Sequence, residues 1–263
     1  METNSKNTVK LADSISLSGL SELNYNNALY LCGGFDNLNG GKHFFKYVRG
    51  SKLELLANCI HFHKNPSLIQ VEHKFIFCIG GDWENTHVEK YSLKAKKWET
   101  YAELPLGVHG ATPYYYSSCL YLIGGFNNLK EAYLDYFLRL FISEDFPEKY
   151  NWEVLKLKKD GYMFASGIDE SYLAKMNMGI IEIKSDQILL FGGKCFDENS
   201  AEVALVNFTE KTVKKETFQL NASAAFSSNA VYFSDGQKIY LYDDTAKLHM
   251  LDYSEKQFLL VNK

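Results

Sequence analysis

Phe75-Ile76-Phe77-Cys78-Ile79 running into Gly80-Gly81, then Val88-Glu89-Lys90-Tyr91 and Trp98, is the stretch on which the fold turns. The apolar run is a short β-rich segment, and it stops at two glycines. Glycine reaches positive φ without penalty and lets neighbouring backbone come close, which is the physical need for such a pair. Trp98 stands seven residues beyond Tyr91, across the polar stretch Ser92-Leu93-Lys94-Ala95-Lys96-Lys97. A large apolar residue, a polar turn and a second large residue predict a hairpin whose rings pack between adjacent sheets.

Working outward, the same pattern recurs. Leu29–Cys32 leads into Gly33-Gly34, Leu120–Ile123 into Gly124-Gly125, and Ile188–Phe191 into Gly192-Gly193. The steps between successive pairs are 47, 44 and 68 residues. A degenerate fifth copy, Ile239–Tyr242, is followed by Asp243-Asp244, 50 residues after Gly193. Asp is among the non-glycine types that best tolerate positive φ. Hairpin partners seven apart return at Val206/Val213 and Leu251/Phe258, while Phe45/Leu53 at eight and Phe141/Trp152 at eleven are irregular. A preceding strand is predicted over Ser67–His73, Tyr114–Ser118, Met178–Ile183 and Asn229–Phe233. Each unit thus supplies about four short strands, the content of one propeller blade.

A hydrophobic run into Gly-Gly, followed by a Tyr and a Trp spaced as Tyr91 and Trp98 are, resembles the Kelch repeat. The resemblance covers residues 15–263 and is best over Phe75–Trp98; the other units keep the glycine pair but replace the Tyr or Trp. It implies an all-β, Kelch-type β-propeller of four-stranded blades, with five recognisable units and room for a sixth in the long third step. Residues 1–14 are expected as a tail or a ring-closing segment, with Thr8–Leu11 as a candidate edge strand, and residues 15–263 as one propeller domain. Within the third unit, Glu131–Phe141 fits a helix as well as a strand. Asp160–Asn177 is long for a blade connection.

Composition narrows the function. The chain is 46% hydrophobic and 15% aromatic, enough for a large core, with 18 Tyr and 18 Phe that favour strands. Arg49 and Arg139 are the two arginines among 28 basic residues, as in AT-rich coding sequence. The net charge of −4 is dispersed and no basic stripe is visible, so no nucleic-acid partner is expected. No run approaches the ~18 apolar residues of a membrane span, and Met1–Leu20 has no signal-like core, so the expectation is a cytoplasmic protein without membrane insertion. Cys32, Cys59, Cys78, Cys119 and Cys195 show no CxxC spacing and read as reduced, mostly buried thiols.

No catalytic constellation stands out. His61-x-His63 with His73 has no Cys or carboxylate at a standard zinc spacing and reads as a surface loop. Neither phosphate-loop pattern occurs, and there is no G-x-S-x-G. The acid pairs Glu144/Asp145, Asp197/Glu198 and Asp243/Asp244 read as solvated turns. The Kelch resemblance also brings in enzymes that use the central channel, either copper oxidases or sugar-acid mutarotases. The first needs a Tyr–Cys crosslink with Tyr and His ligands, the second Arg and acids around the channel, and neither set can be aligned here. The expectation is a protein that is not an enzyme and carries no cofactor or metal.

What remains is binding. The segments after the glycine pairs are Phe35–Asn39, Asp82–His87, Phe126–Lys130 and Lys194–Asn199. Each combines an aromatic with adaptable polar groups, the composition of a protein interface. Phe35, Phe126 and Phe196 share one phase and read as inter-blade packing, whereas Trp83 departs from it and reads as a contact. The expected protein-binding residues are Asp36, Asn37, Asn39, Trp83, Glu84, His87, Asn127, Asn128, Asp197 and Glu198. The resemblance implies a scaffold, subunit or adaptor binding one or more proteins, cytoskeletal or within a large complex.

Overall fold

The computed structural model describes residues 16–35, 41–82, 84–142, 151–155, 158–159, 162–163, 173–195, 198–199, 202–216, 219–220, 232–234, 239–242, 248–252 and 257–260. The chain divides into two compact units: Met1–His109 with Asn127–Leu129 and Tyr150–Trp152, and Gly110–Phe126 with Lys130–Lys149 and Glu153–Lys263. Among the described residues, no helix is long and apolar enough to cross a membrane.

The first unit holds two four-stranded antiparallel sheets. One is β1 (Ser16–Tyr25), β2 (Ala28–Phe35), β3 (Phe44–Val48) and β4 (Glu54–Leu55); the other is β5 (Ser67–Val71), β6 (Phe75–Ile79), β7 (Val88–Ser92) and β8 (Lys97–Thr100). In both, sequence order is spatial order, because short connections join strands that lie side by side. Asn26 and Asn27, at φ +51° and +57°, form the two-residue β1–β2 connection. Positive φ at both central residues is the twist a tight hairpin needs, and Asn supplies it without glycine.

The core of this unit lies between the two sheets. Ala28, Tyr30, Cys32 and Phe44 meet Leu68, Ile76, Cys78, Tyr91 and Trp98. Tyr91 sits directly opposite Trp98 in the β7–β8 register, with ring centroids 5.2 Å apart. Both rings are reached by Phe44, at 4.9 Å and 5.0 Å in edge-on geometry. The hairpin reading of the Tyr–Trp spacing therefore holds, rings included.

The second unit is built the same way. β9 (Thr112–Tyr116) and β10 (Cys119–Ile123) precede a small hairpin, β11 (Phe126–Asn127) with β12 (Ala132–Tyr133), and β13 (Phe137–Phe141) and β14 (Glu153–Leu155) complete the sheet. Next come β15 (Lys158–Lys159), β16 (Tyr162–Met163), β17 (Gly179–Lys184) and β18 (Gln187–Phe191). After the short pair β19 (Lys194–Cys195) and β20 (Glu198–Asn199), β21 (Val203–Asn207) and β22 (Thr212–Glu216) close a six-stranded sheet with β15–β18. The last sheet is β23 (Gln219–Leu220), β24 (Tyr232–Ser234), β25 (Ile239–Tyr242), β26 (Leu248–Asp252) and β27 (Gln257–Leu260). In these two sheets β15 and β23 lie parallel to the outer strands β22 and β27 and cover those edges. Phe208 gathers Tyr114, Tyr116, Tyr121 and Phe137 into one aromatic core.

The chain is thus all-β, a β-propeller-like arrangement of small antiparallel sheets. Each predicted glycine-pair run is the second strand of a meander: β2, β6, β10, β18 and, for the degenerate copy, β25. The predicted preceding strands appear as β5, β9, β17 and β24. Val206/Val213 and Leu251/Phe258 are cross-strand pairs. Two hairpin pairings need correction. Phe45 lies opposite Leu55 rather than Leu53, because the connection after β3 is two residues longer than the eight-residue spacing assumed. Phe141 does not pair with Trp152: the register is Arg139 with Glu153, β14 begins at Glu153, and Phe141 extends past its end into solvent. Glu131–Phe141 is strand rather than helix, since β12 and β13 each pair with a neighbour. Thr8–Leu11 and most of 160–177 lie outside the described residues.

Truncating Phe44 removes the ring on which Tyr30, Tyr91 and Trp98 converge. Phe44→Ala is expected to cost ~3–5 kcal/mol in a denaturant titration. Val154→Ala, at a site 51% exposed, should stay within about 0.5 kcal/mol. Near-equal losses at the two sites would contradict this packing.

Candidate functional site

The site begins with one carboxylate. Glu89 on β7 is two residues before Tyr91, so strand alternation turns it toward the same interior face, and it is 0% exposed. A buried charge survives only if paired and hydrogen-bonded. Glu89 meets that condition through the segment between β4 and β5. The Ile60 N–H donates to Oε2 at 2.8 Å and the His61 N–H to Oε1 at 2.5 Å. His61 Nδ1 lies 2.9 Å and His63 Nε2 3.3 Å from Oε1.

His63 is also 0% exposed. Its Nδ1 lies 2.7 Å from the Gly80 carbonyl, which can only accept, so Nδ1 carries a proton. A hydrogen bond from Nε2 to Glu89 then requires the imidazolium form. Burial is the strongest single influence and works against that charge, but Glu89, with Cys59 and the Gly80 carbonyl, together outweigh it and raise His63 above its ordinary 6.5. For Glu89, burial pushes the pKa up, yet the bonds from His63 and the Ile60 and His61 backbone hold it below 4.5.

Around this pair the post-glycine segment is fixed in place. Asn85 donates through Nδ2 to the Phe62 carbonyl and accepts through Oδ1 from the His87 N–H at 2.9 Å. The His87 ring stacks on His61 with centroids 3.7 Å apart and planes 17° from parallel. Burial first, and then His61, pull His87 below its ordinary value. Gly80, at φ +64°, presses against the Val108 carbonyl, where an added Cβ would collide.

Further out is a half-buried charged group. Asp82 bridges Lys64 Nζ at 2.6 Å and His109 Nδ1 at 3.0 Å. Burial holds His109 below 6.5 despite Asp82, and Asn128 is hydrogen-bonded to the same imidazole. Asn127 is buried and donates through Nδ2 to the Gly107 carbonyl at 2.5 Å. Gly107 in turn lies against the Glu84 backbone, so the 84 and 127 segments are held on one short stretch.

The structure therefore brings Glu84, His87, Asn127 and Asn128 of the predicted residues into one region of the first unit. Their parts differ. Glu84 and Asn128 are exposed, His87 is half-covered by His61, and Asn127 faces inward and anchors its segment. Glu198 lies on β20 opposite Cys195. Asp36, Asn37, Asn39, Trp83 and Asp197 lie outside the described residues.

Sequence reasoning missed Glu89, and with it the role of His61 and His63. The surface-loop reading of these histidines is corrected: His63 is fully buried because Glu89 holds it inside. His73 does stay at the surface, 3.2 Å from the Tyr25 hydroxyl. The available signal was phase, since a Glu two residues before a core Tyr shares its face. Also unforeseen is the meeting of Cys32, Cys59 and Cys78, whose sulfurs all lie within 4.8 Å of one another.

Chemically, Glu89 and His63 are sealed from solvent and can only position. Among the described residues of this region, Glu84, Asn128, Leu129 and the Lys64–Asp82–His109 cluster are placed where another molecule can reach them. No protein-family model matches the sequence. No curated protein matches it significantly.

The Glu89–His63 pair has a defined pH window. Glu89 is depressed, so its contribution is complete above 4.5 and fades as pH falls through its folded value. His63 is raised, so its contribution is complete below 6.5 and fades as pH rises through its folded value. The pair therefore stabilises most between 4.5 and 6.5. Glu89→Gln is expected to cost ~3 kcal/mol inside that window and less on either side. Denaturant midpoints of both proteins from about pH 4 to pH 8 test this, and a constant difference would contradict it.

Proposed function

We propose that the chain is a non-catalytic protein-interaction scaffold of the Kelch type, a subunit or adaptor that contacts one or more proteins through its post-glycine segments. The observation that carries this reading is the segment around Leu129. Asn127 ties it inward to Gly107, and two residues later Leu129 is 71% exposed. An apolar side chain presented on a pinned backbone, with exposed Asn128 beside it, loses little entropy on binding and gains by desolvation. Glu84, held to the same stretch through Gly107, supplies a charge for the rim of such a contact.

The Kelch reading rests on the repeated glycine-pair strands and on the Tyr91–Trp98 hairpin, the full form of the repeat. Rigidity suits a scaffold: Glu89 locks the 60–63 segment, and Asn85 and His87 dock on it. The sealed carboxylate and imidazole favour structure over turnover. A cytoplasmic setting, within a larger assembly, fits a chain whose binding groups are modest in charge.

The test is a quantitative affinity purification of the tagged full-length chain from its own cells, wild type against Leu129→Asp and Glu84→Lys. At least one near-stoichiometric protein is expected with the wild type, reduced tenfold or more by Leu129→Asp. Val154→Asp, on the exposed part of β14, should leave that association intact. Equal recovery of every partner with Leu129→Asp would remove this segment from the interface.

A further inference from the structure

Three cysteines from distant parts of the chain converge inside the first unit. Cys32 is on β2, Cys78 on β6 and Cys59 on the segment between β4 and β5, and all three are buried. Cys32 Sγ is 3.3 Å from Cys59 Sγ and 3.5 Å from Cys78 Sγ, and all three sulfurs lie within 4.8 Å of one another. Strand phase puts them there. Cys32 shares a face with Tyr30, and Cys78 shares one with Ile76, so both point into the core between the two sheets.

We propose that Cys32, Cys59 and Cys78 form a structural zinc site that ties β2, β6 and the 56–66 segment together. A tetrahedral zinc with bonds of about 2.3 Å holds its sulfurs about 3.8 Å apart. The 3.3 Å and 3.5 Å separations need to open by only about 0.3–0.5 Å, and the third, within 4.8 Å, lies in a range that can close to match. Borderline-soft zinc suits thiolates, and burial of all three sulfurs in the core favours a structural role over a solvent-reached catalytic one.

His63 lies close enough to Cys59 to bear on it electrostatically, but both of its ring nitrogens are engaged, by the Gly80 carbonyl and by Glu89, so among the described residues the three cysteines are the ligands the chain supplies. On binding, three S–H bonds break, three zinc–sulfur bonds form, and three protons leave to solvent. Zinc with three thiolates carries one net negative charge.

The ligands come from both sheets and the segment joining them, so the metal would bind as this unit folds. Cys59 is the informative ligand, because its segment has little regular structure of its own and also carries Ile60, His61 and His63 against Glu89. The site therefore bears on how firmly the polar region above it is held.

The experiment uses the full chain, purified under reductant from cells grown with zinc. Elemental analysis is expected to find about one zinc per chain. Cobalt(II) added during refolding of metal-free protein should give thiolate-to-cobalt charge-transfer absorption in the near ultraviolet. Cys59→Ser should lose the metal, while Cys119→Ser, outside the cluster, should keep it. If Cys59→Ser does not fold, the wild type alone decides, refolded with zinc or with a chelator. A higher thermal midpoint with zinc supports the site. Folded wild-type protein with background zinc, no cobalt charge-transfer band and the same midpoint in zinc and chelator overturns it. Zinc kept by Cys59→Ser and lost by Cys119→Ser overturns it equally.

Discussion

The structure depends on a close approach of backbone to backbone. In three of the pairs the first glycine stands in or just past an inner strand, and a carbonyl from a later segment lies directly against it. At Gly33 that oxygen belongs to His63, at Gly80 to Val108 and at Gly124 to Leu173. A Cβ on Gly33 or Gly124 would sit 2.6 Å from the oxygen, well inside contact distance. The glycine pair is thus less a flexible spot than a joint, a place where two pieces of main chain cross without a side chain between them. Its repetition organises the small sheets, because each crossing fixes where the next stretch of chain must pass.

The polar region of the first unit follows from that joint. The chain that crosses Gly33 at His63 also carries Ile60 and His61, and it is these backbone donors that Glu89 gathers. His63 spans both features: its carbonyl lies on Gly33 and its ring bridges Gly80 and Glu89. Crossing, buried ion pair and post-glycine segment are therefore one connected construction. Its stiffness is what lets exposed groups such as Glu84 and Leu129 stand at fixed positions, which is the property a binding scaffold needs. The cysteine cluster lies in the same unit, with Cys59 four residues before His63.

How much of this could be read in the sequence divides along physical lines. The meanders were legible, because apolar runs ending in Gly-Gly are local and repeat, and β6 and its companions fall where those runs stand. The Tyr91–Trp98 pair was legible for the same reason: a fixed spacing across a short turn sets register. Irregular turns were not, so Phe45 finds Leu55, and Phe141 is left in solvent. The site was only partly legible. Glu84, His87, Asn127 and Asn128 follow glycine pairs and could be located, but Asn127 turned inward, which depends on a tertiary bond to Gly107. The convergence of Cys32, Cys59 and Cys78, and the pairing of Glu89 with His63, join segments 26 to 46 residues apart. Such meetings are fixed by how sheets stack, which no single run of sequence specifies.

The central claim, that glycine pairs act as close-crossing joints and not merely as tolerant turns, is best tested by comparing Gly80→Ala with Gly50→Ala. Both positions have positive φ, +64° and +80°, but Gly50 has no atom within 4 Å of an added Cβ, whereas Gly80 lies against the Val108 carbonyl. Backbone conformation alone predicts a similar loss of about 1–2 kcal/mol at each. A crossing joint predicts that Gly80→Ala loses ~3 kcal/mol or more by chemical denaturation while Gly50→Ala stays near the conformational cost. Equal losses at the two sites would contradict the account.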